Sequence, residues 1–357
     1  MLQPWPMARS SIRSRLEATF AQRLFALPES IVSRLVGRPL TIEDQRLDPH
    51  LEMACRLSRL IGRPKTSELS PAEARHDYHA SVSAIDRPGP ELPQVRDFSV
   101  AGADGPLPAR AYWPRLGTKL PLLVYLHGGG YVIGDLDTHD AFCRRLAHGA
   151  DVIVVAVDYR LAPEHPFPAP VEDAIAAFRD LASRADELGA DGSRLLVAGD
   201  SAGATMSAAV AQATRGEEFT PALAVLFYPS TKMGSRYPSM QLFREGFLLE
   251  GSSIDYFMEA YGAPAEDPRV SPLLADTLEG LPPHVVITAG FDPLRDEGRA
   301  YADALEAAGV RVQRLEHPGL THGWVHMDAI PGARRATAEV VGVIRSELAR
   351  VETTTRA

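Results

Sequence analysis

The stretch Leu195-Leu196-Val197-Ala198-Gly199-Asp200-Ser201-Ala202-Gly203-Ala204-Thr205-Met206-Ser207-Ala208-Ala209 decides how the rest of the chain is read. Its apolar start predicts a buried strand, its small-residue end predicts a helix, and Gly-x-Ser-x-Gly forms the turn between them. A sharp strand-to-helix turn holds its central residue in strained backbone geometry and lifts that side chain clear of the sheet. Glycines on either side let neighbouring backbone pass where a Cβ would collide. The helix then turns its free N–H groups and positive dipole end toward whatever Ser201 attacks. Ser201 is therefore a candidate nucleophile, and it requires a base, a carboxylate and an oxyanion site elsewhere in the chain.

Composition sets the bounds. The chain has 357 residues, 45% hydrophobic and 23% charged, as soluble globular proteins do. A net charge of −9 argues against nucleic acid as the main partner, because a phosphate-binding face needs clustered cations. Two cysteines, Cys55 and Cys143, are too few for a disulfide framework and fit a reducing, cytoplasmic setting. No apolar run approaches the ~18 residues of a membrane span. Arg9, Arg13 and Arg15 interrupt any apolar signal core at the N-terminus. The same region predicts a basic amphipathic helix bearing Ile12, Leu16, Phe20, Leu24 and Leu27. Such a helix either packs on its own protein or could touch an anionic membrane surface.

Residues 1–93 read as helices punctuated by prolines, with no strand. Ser70, Pro71 and Glu73 predict a capped helix start. Residues 95–100 and 107–113 alternate like an antiparallel hairpin. Strands at 120–126, 151–157, 195–198, 223–228, 284–289 and 310–316 then alternate with helices at 140–150, 171–188, 202–214, 294–308 and 332–351. That rhythm predicts a mostly parallel sheet covered by helices on both faces. It breaks at 230–274, where Tyr237, Phe243, Phe247, Tyr256, Phe257 and Tyr261 gather. An insertion on the carboxyl side of a strand lies over the ligand crevice, so this segment reads as part of a lid. Its aromatics either line a pocket or form the lid's own small core. The expected division is 1–94 helical and part of the lid, 95–229 first part of the core, 230–274 lid insertion, and 275–357 second part of the core.

A serine nucleophile on this architecture is followed by its carboxylate and then its histidine. Asp292 stands where the strand at 284–289 ends, and it also suits the cap of the next helix; Asp296 falls inside that helix. After the last strand His317, His322 and His326 compete. His322, in the loop and followed by Gly323, is the candidate base. His322 and His326 have the i, i+4 spacing of a metal pair, but no Glu follows His322 and no third ligand is apparent. His76 and His79 likewise lack a third partner. No metal is expected at either pair. His127-Gly128-Gly129-Gly130 follows the strand at 120–126 and could offer bare N–H groups to an oxyanion, joined by that of Ala202.

These segments, with Asp158-Tyr159-Arg160-Leu161-Ala162-Pro163-Glu164-His165-Pro166-Phe167-Pro168-Ala169 and Asp292-Pro293-Leu294-Arg295-Asp296-Glu297-Gly298, resemble the hormone-sensitive-lipase-like family of α/β-hydrolases, the bacterial family IV esterases. The resemblance covers the chain from about residue 107 to the end. It implies an α/β-hydrolase fold with a helical lid, a triad of Ser201, Asp292 and His322, and oxyanion donors at Gly128, Gly129 and Ala202. It implies hydrolysis of short- to medium-chain carboxylic esters through an acyl-enzyme, without cofactor or metal. Amidase, lactonase or lipase chemistry would use the same triad, and a non-catalytic receptor on this fold would have lost part of it. Family members often form homodimers. Tyr131, Phe243, Phe247 and Trp324 are the candidate substrate-binding residues. Ala204 and Thr205 stand where the family often has Gly and Asn, and the first forty or so residues match nothing in its pattern.

Overall fold

Alternation in the strand sequences explains the layers. The computed structural model describes residues 23–62 and 64–355. Eight strands form one sheet: β1 (Gln94–Gly102), β2 (Gly105–Trp113), β3 (Leu120–Leu126), β4 (Ile153–Val157), β5 (Ala190–Asp200), β6 (Leu223–Phe227), β7 (His284–Phe291) and β8 (Val312–Thr321). Their spatial order is β1-β2-β4-β3-β5-β6-β7-β8. β2 is antiparallel to both β1 and β4, and every other pairing is parallel. β3, β4, β6 and β7 are buried along their whole length, because both faces are covered.

Successive side chains of a strand point to opposite faces. In β3, Leu122, Val124 and Leu126 pack with α5 (Ala169–Ser183), α6 (Ala202–Ala213) and α9 (Arg295–Ala307). Leu123 and Tyr125 pack on the other side with α4 (Leu136–Ala150) and α10 (Pro331–Thr355). α1 (Glu29–Val36) and α2 (Pro49–Ile61) contribute Val32, Val36 and Leu51 to that second core, so the N-terminal segment is built into the body of the fold. α3 (Pro71–Ile85) begins at the expected capping box: the Ser70 N–H donates to Glu73 at 2.9 Å. The segment after β6 carries α7 (Pro238–Leu242) and α8 (Gly251–Tyr261).

Three details differ from the sequence expectation. β5 starts five residues earlier, at Ala190, and β8 runs on to Thr321 through Pro318 and Gly319. Within the segment expected to hold no strand, Thr41–Ile42 pairs with Gln45–Arg46. Its two turn residues, Glu43 and Asp44, have φ of 50° and 61°, the left-handed pair a tight hairpin needs. No glycine marks this turn, so the usual hairpin signal is missing. The hairpin matters for position: Glu43 pairs with Arg295 at 2.8 Å, and the Asp48 N–H donates to the Gly319 carbonyl at 2.9 Å.

Of the expected basic helix, Ile12, Leu16 and Phe20 lie outside the described residues, whereas Leu24 and Leu27 pack against the second core. No described helix is long and apolar enough to cross a membrane.

Candidate active site

The elbow forms because β5 and β3 are parallel neighbours, with Gly199 paired to Leu126. A Cβ on Gly203 would fall inside the Leu126 carbonyl oxygen, and one on Gly199 would strike Gly203 and that same carbonyl. Both positions must therefore be glycine for the turn to lie this close to β3. Ser201 itself has φ 53° and ψ −120°, a sparsely populated region for a side chain with a Cβ. Such strain costs about 1–3 kcal/mol. It is held by hydrogen bonds on both sides: the Ser201 N–H donates to the Phe227 carbonyl at 2.9 Å, and the Thr205 N–H to the Ser201 carbonyl at 3.1 Å.

The ends of β7 and β8 bring the other two groups. His322 Nε2 lies 2.9 Å from Ser201 Oγ, and His322 Nδ1 lies 2.8 Å from Asp292 Oδ2. A carboxylate only accepts, so in the neutral ring the proton sits on Nδ1 and Nε2 is free to accept from the serine hydroxyl. Asp292 is fully buried, and its second oxygen accepts the Leu294 N–H at 2.8 Å. The capping role and the histidine-orienting role thus take one oxygen each. The Tyr228 ring lies 4.5 Å from the His322 ring.

The rival residues have other partners. Asp296 accepts from the Ser239 N–H and pairs with Arg295, both at 2.8 Å. His317 packs edge-on to Trp324. His326 Nε2 meets the Tyr78 hydroxyl at 2.9 Å, so His322 and His326 share no ligand.

The glycine loop corrects one expectation. The Gly128 N–H donates to Asp200 Oδ1 at 2.8 Å and is not free for an oxyanion. The N–H groups of Gly129, Gly130 and Ala202 make no such bond among the described residues. Gly129 and Gly130 have φ of 119° and 59°, conformations that favour glycine. His127 stacks on Tyr159 at 4.2 Å, and the Tyr159 hydroxyl donates to the His127 carbonyl at 2.7 Å. Burial, reinforced by the neighbouring His139, pulls the His127 pKa down to about 4, which keeps the ring neutral.

Three of the four expected substrate contacts are corrected. Trp324 is fully buried against Phe227 and Tyr228, and Phe243 and Phe247 pack on Phe291. Arg295 lies over the Phe243 ring at 5.1 Å. These aromatics are core, because the apolar ends of β6 and β7 need covering at this edge. Tyr131, the fourth, stacks on Tyr261 at 3.8 Å. Phe257, from α8, lies against Gly130: its ring fills the place a Cβ there would take. The residues that sequence reasoning missed are Asp200, Tyr125 and His139. Asp200 stood in a variable position of the elbow pattern, and only its burial marks it. Among the described residues, His139, Asp200 and His326 form the one convergence of metal-type ligands, their atoms within 4.8 Å of one another.

Comparison with known proteins shows the family to which this fold belongs. A family model described as the alpha/beta hydrolase fold matches residues 123–326. The carboxylic ester hydrolase LipN of Mycobacterium tuberculosis is 43% identical over 327 residues, 88% of this chain and 87% of that protein. The structure of a hyperthermophilic esterase from Pyrobaculum calidifontis superposes with a TM-score of 0.78 at 38% identity, covering 84% of this chain and 98% of that one. An ester hydrolase from the metagenome of Lake Arreo gives 0.81 at 40% identity, covering 87% and 100%.

Proposed function

Because the chain belongs to the α/β-hydrolase fold family, in its hormone-sensitive-lipase-like branch, we propose that it is a serine carboxylesterase working through an acyl-enzyme on Ser201. His322 takes the proton of Ser201 Oγ as that oxygen attacks the ester carbonyl. Asp292 holds the imidazole in the required tautomer and stabilises the imidazolium that forms. The free N–H groups of Gly129, Gly130 and Ala202 receive the developing oxyanion, Gly130 replacing Gly128 in this role. His322 then protonates the leaving alcohol. Water, deprotonated by the same ring, releases the acid. The observation that carries the reading is the unbroken chain from Ser201 Oγ through His322 to Asp292, at 2.9 and 2.8 Å. The enzyme is read as cytoplasmic, since Cys55 and Cys143 are both free and buried.

Ser201→Ala tests it. With p-nitrophenyl butyrate, kcat is expected to fall by about 10⁴-fold or more, leaving the residual rate that binding and the oxyanion donors supply. Turnover near the wild-type rate would sink the assignment. A panel of esters from acetate to decanoate, with matching anilides, defines the acyl range and separates esterase from amidase.

A further inference from the structure

Among the buried charges that take no part in the proposed reaction, one stands directly before the nucleophile. Asp200 precedes the nucleophile and is 2% exposed. Its Oδ1 accepts the Gly128 N–H at 2.8 Å and the Tyr125 hydroxyl at 2.8 Å, and His139 Nε2 lies 3.2 Å away. Its Oδ2 accepts from the Tyr228 hydroxyl at 3.5 Å, and Tyr228 is the ring beside His322. The carboxylate also occupies the space that a Cβ on Gly128 would need, so the first glycine of the loop is shaped around Asp200. Burial alone would raise the pKa of this carboxyl, but the charge and hydrogen bonding of His139 outweigh it and hold the group well below the ordinary carboxylate range. An ionised carboxylate this close to an acyl-transfer site opposes a developing oxyanion unless donors compensate it. Here they do, which points to an anchoring task.

We propose that Asp200 is a positioning residue: by binding the Gly128 N–H it fixes the following two backbone N–H groups, those of Gly129 and Gly130, at the oxyanion. Nucleophile and oxyanion loop sit on different strands, β5 and β3. Asp200 ties them together because it is covalently next to Ser201 and hydrogen-bonded to the loop. Tyr125, also on β3, and His139, on α4, hold the carboxylate itself. The proposal rests on the esterase reading above.

The same residues have the composition of a metal site, with His326 as the third ligand. The hydrogen bonds argue otherwise. Oδ1 already receives two donors, and the His326 ring meets His139 edge-on at 4.3 Å while Tyr78 occupies its Nε2. Tyr125, Gly128 and Tyr78 close the cluster as a hydrogen-bonded unit.

Asp200→Leu keeps the branched shape and removes the oxygen that accepts the Gly128 N–H. Its kcat on p-nitrophenyl butyrate is expected to fall about 10²-fold, the loss typical of one misplaced oxyanion donor, with KM within about threefold of wild type. Affinity for a trifluoromethyl ketone, whose adduct with Ser201 places an oxyanion in the same site, falls by a similar factor. A structural role alone would lower Tm without that split between kcat and KM. If Asp200→Leu fails to fold, Tyr125→Phe removes one donor from Oδ1 and is expected to weaken both kcat and ketone affinity about threefold to tenfold. Unchanged kcat and ketone affinity in whichever variant folds would overturn the proposal. So would stoichiometric metal in purified wild-type protein whose removal by chelator abolishes activity. Ser201→Ala run in parallel keeps the two readings apart, since its activity tests the esterase assignment whatever Asp200 does.

Discussion

Replacing Asp292 by Asn should separate catalysis from stability, because the two oxygens of this side chain have separate tasks. Asn retains an oxygen for the Leu294 N–H and keeps the volume of a fully buried site. Its amide, however, presents N–H groups where Oδ2 now accepts from His322 Nδ1 at 2.8 Å. The imidazole must then accept at Nδ1 and carry its proton on Nε2, facing Ser201 Oγ, where it can no longer take the serine proton. A wrong tautomer of this kind lowers kcat by about 10⁴-fold, or about 5 kcal/mol of transition-state stabilisation. Asp292→Ala should be equally inactive and less stable. It leaves the Leu294 N–H buried without an acceptor, worth about 1–3 kcal/mol, which in a domain of this size lowers Tm by several degrees relative to Asp292→Asn. Both variants are assayed for kcat on p-nitrophenyl butyrate at saturation and melted by circular dichroism. Asp292→Asn retaining kcat within tenfold of wild type would refute its role in orienting His322. Equal melting temperatures for the two variants would refute the division of labour between the oxygens.

Three further outcomes are expected. Burial, with the Asp292 charge adding to it, lifts the Glu297 carboxyl from 4.5 to about 7. Between those values the folded chain holds a proton the unfolded chain has lost, so stability falls as pH rises through that window, by about 3 kcal/mol in all. Unfolding in urea at pH 5 and pH 8 should show that Glu297→Gln, which can still meet Thr231 and Ser235, removes this loss; parallel pH dependence in both proteins would contradict it. Gly203→Ala places a methyl group inside the Leu126 carbonyl and must push β3 and α6 apart. The expected cost is about 3 kcal/mol or more with loss of esterase activity, and a wild-type Tm would contradict the packing. Phe257→Ala opens the space beside Gly130. The ratio of kcat/KM for octanoate over acetate esters should rise at least about fivefold, and an unchanged ratio would show that Phe257 does not border the acyl chain.

Much of this protein is local in the chain. Period-two alternation in residues 107–113 and unbroken apolar runs in 120–126, 153–157 and 223–227 announce which strands have one covered face and which have two. The elbow is local as well, since a strand, a tight glycine turn and a helix follow one another within fifteen residues. The order of nucleophile, carboxylate and histidine is equally readable, because each stands where a strand ends.

What the sequence could not show is which groups far apart in the chain meet. Asp292 meets His322 across 30 positions, His322 meets Ser201 across 121, and Asp200 meets Gly128 across 72. Only the stacking of β3, β5, β7 and β8 in one sheet decides those pairings. Gly128 illustrates the difference: any glycine loop after a strand offers N–H groups, but which ones stay free depends on a carboxylate delivered by the neighbouring strand. Phe243, Phe247 and Trp324 illustrate it again, because an aromatic side chain fits a core and a pocket equally well, and its neighbours assign it. The sequence by itself determined the strand order in the chain, the candidate nucleophile and the kind of chemistry it suits, since these depend on residue type and short spacing. The tertiary structure alone decided which N–H of the glycine loop is taken by Asp200, the packing of the aromatics and the anchoring of the N-terminal hairpin, since hydrogen bonds and packing act through space between residues far apart along the chain.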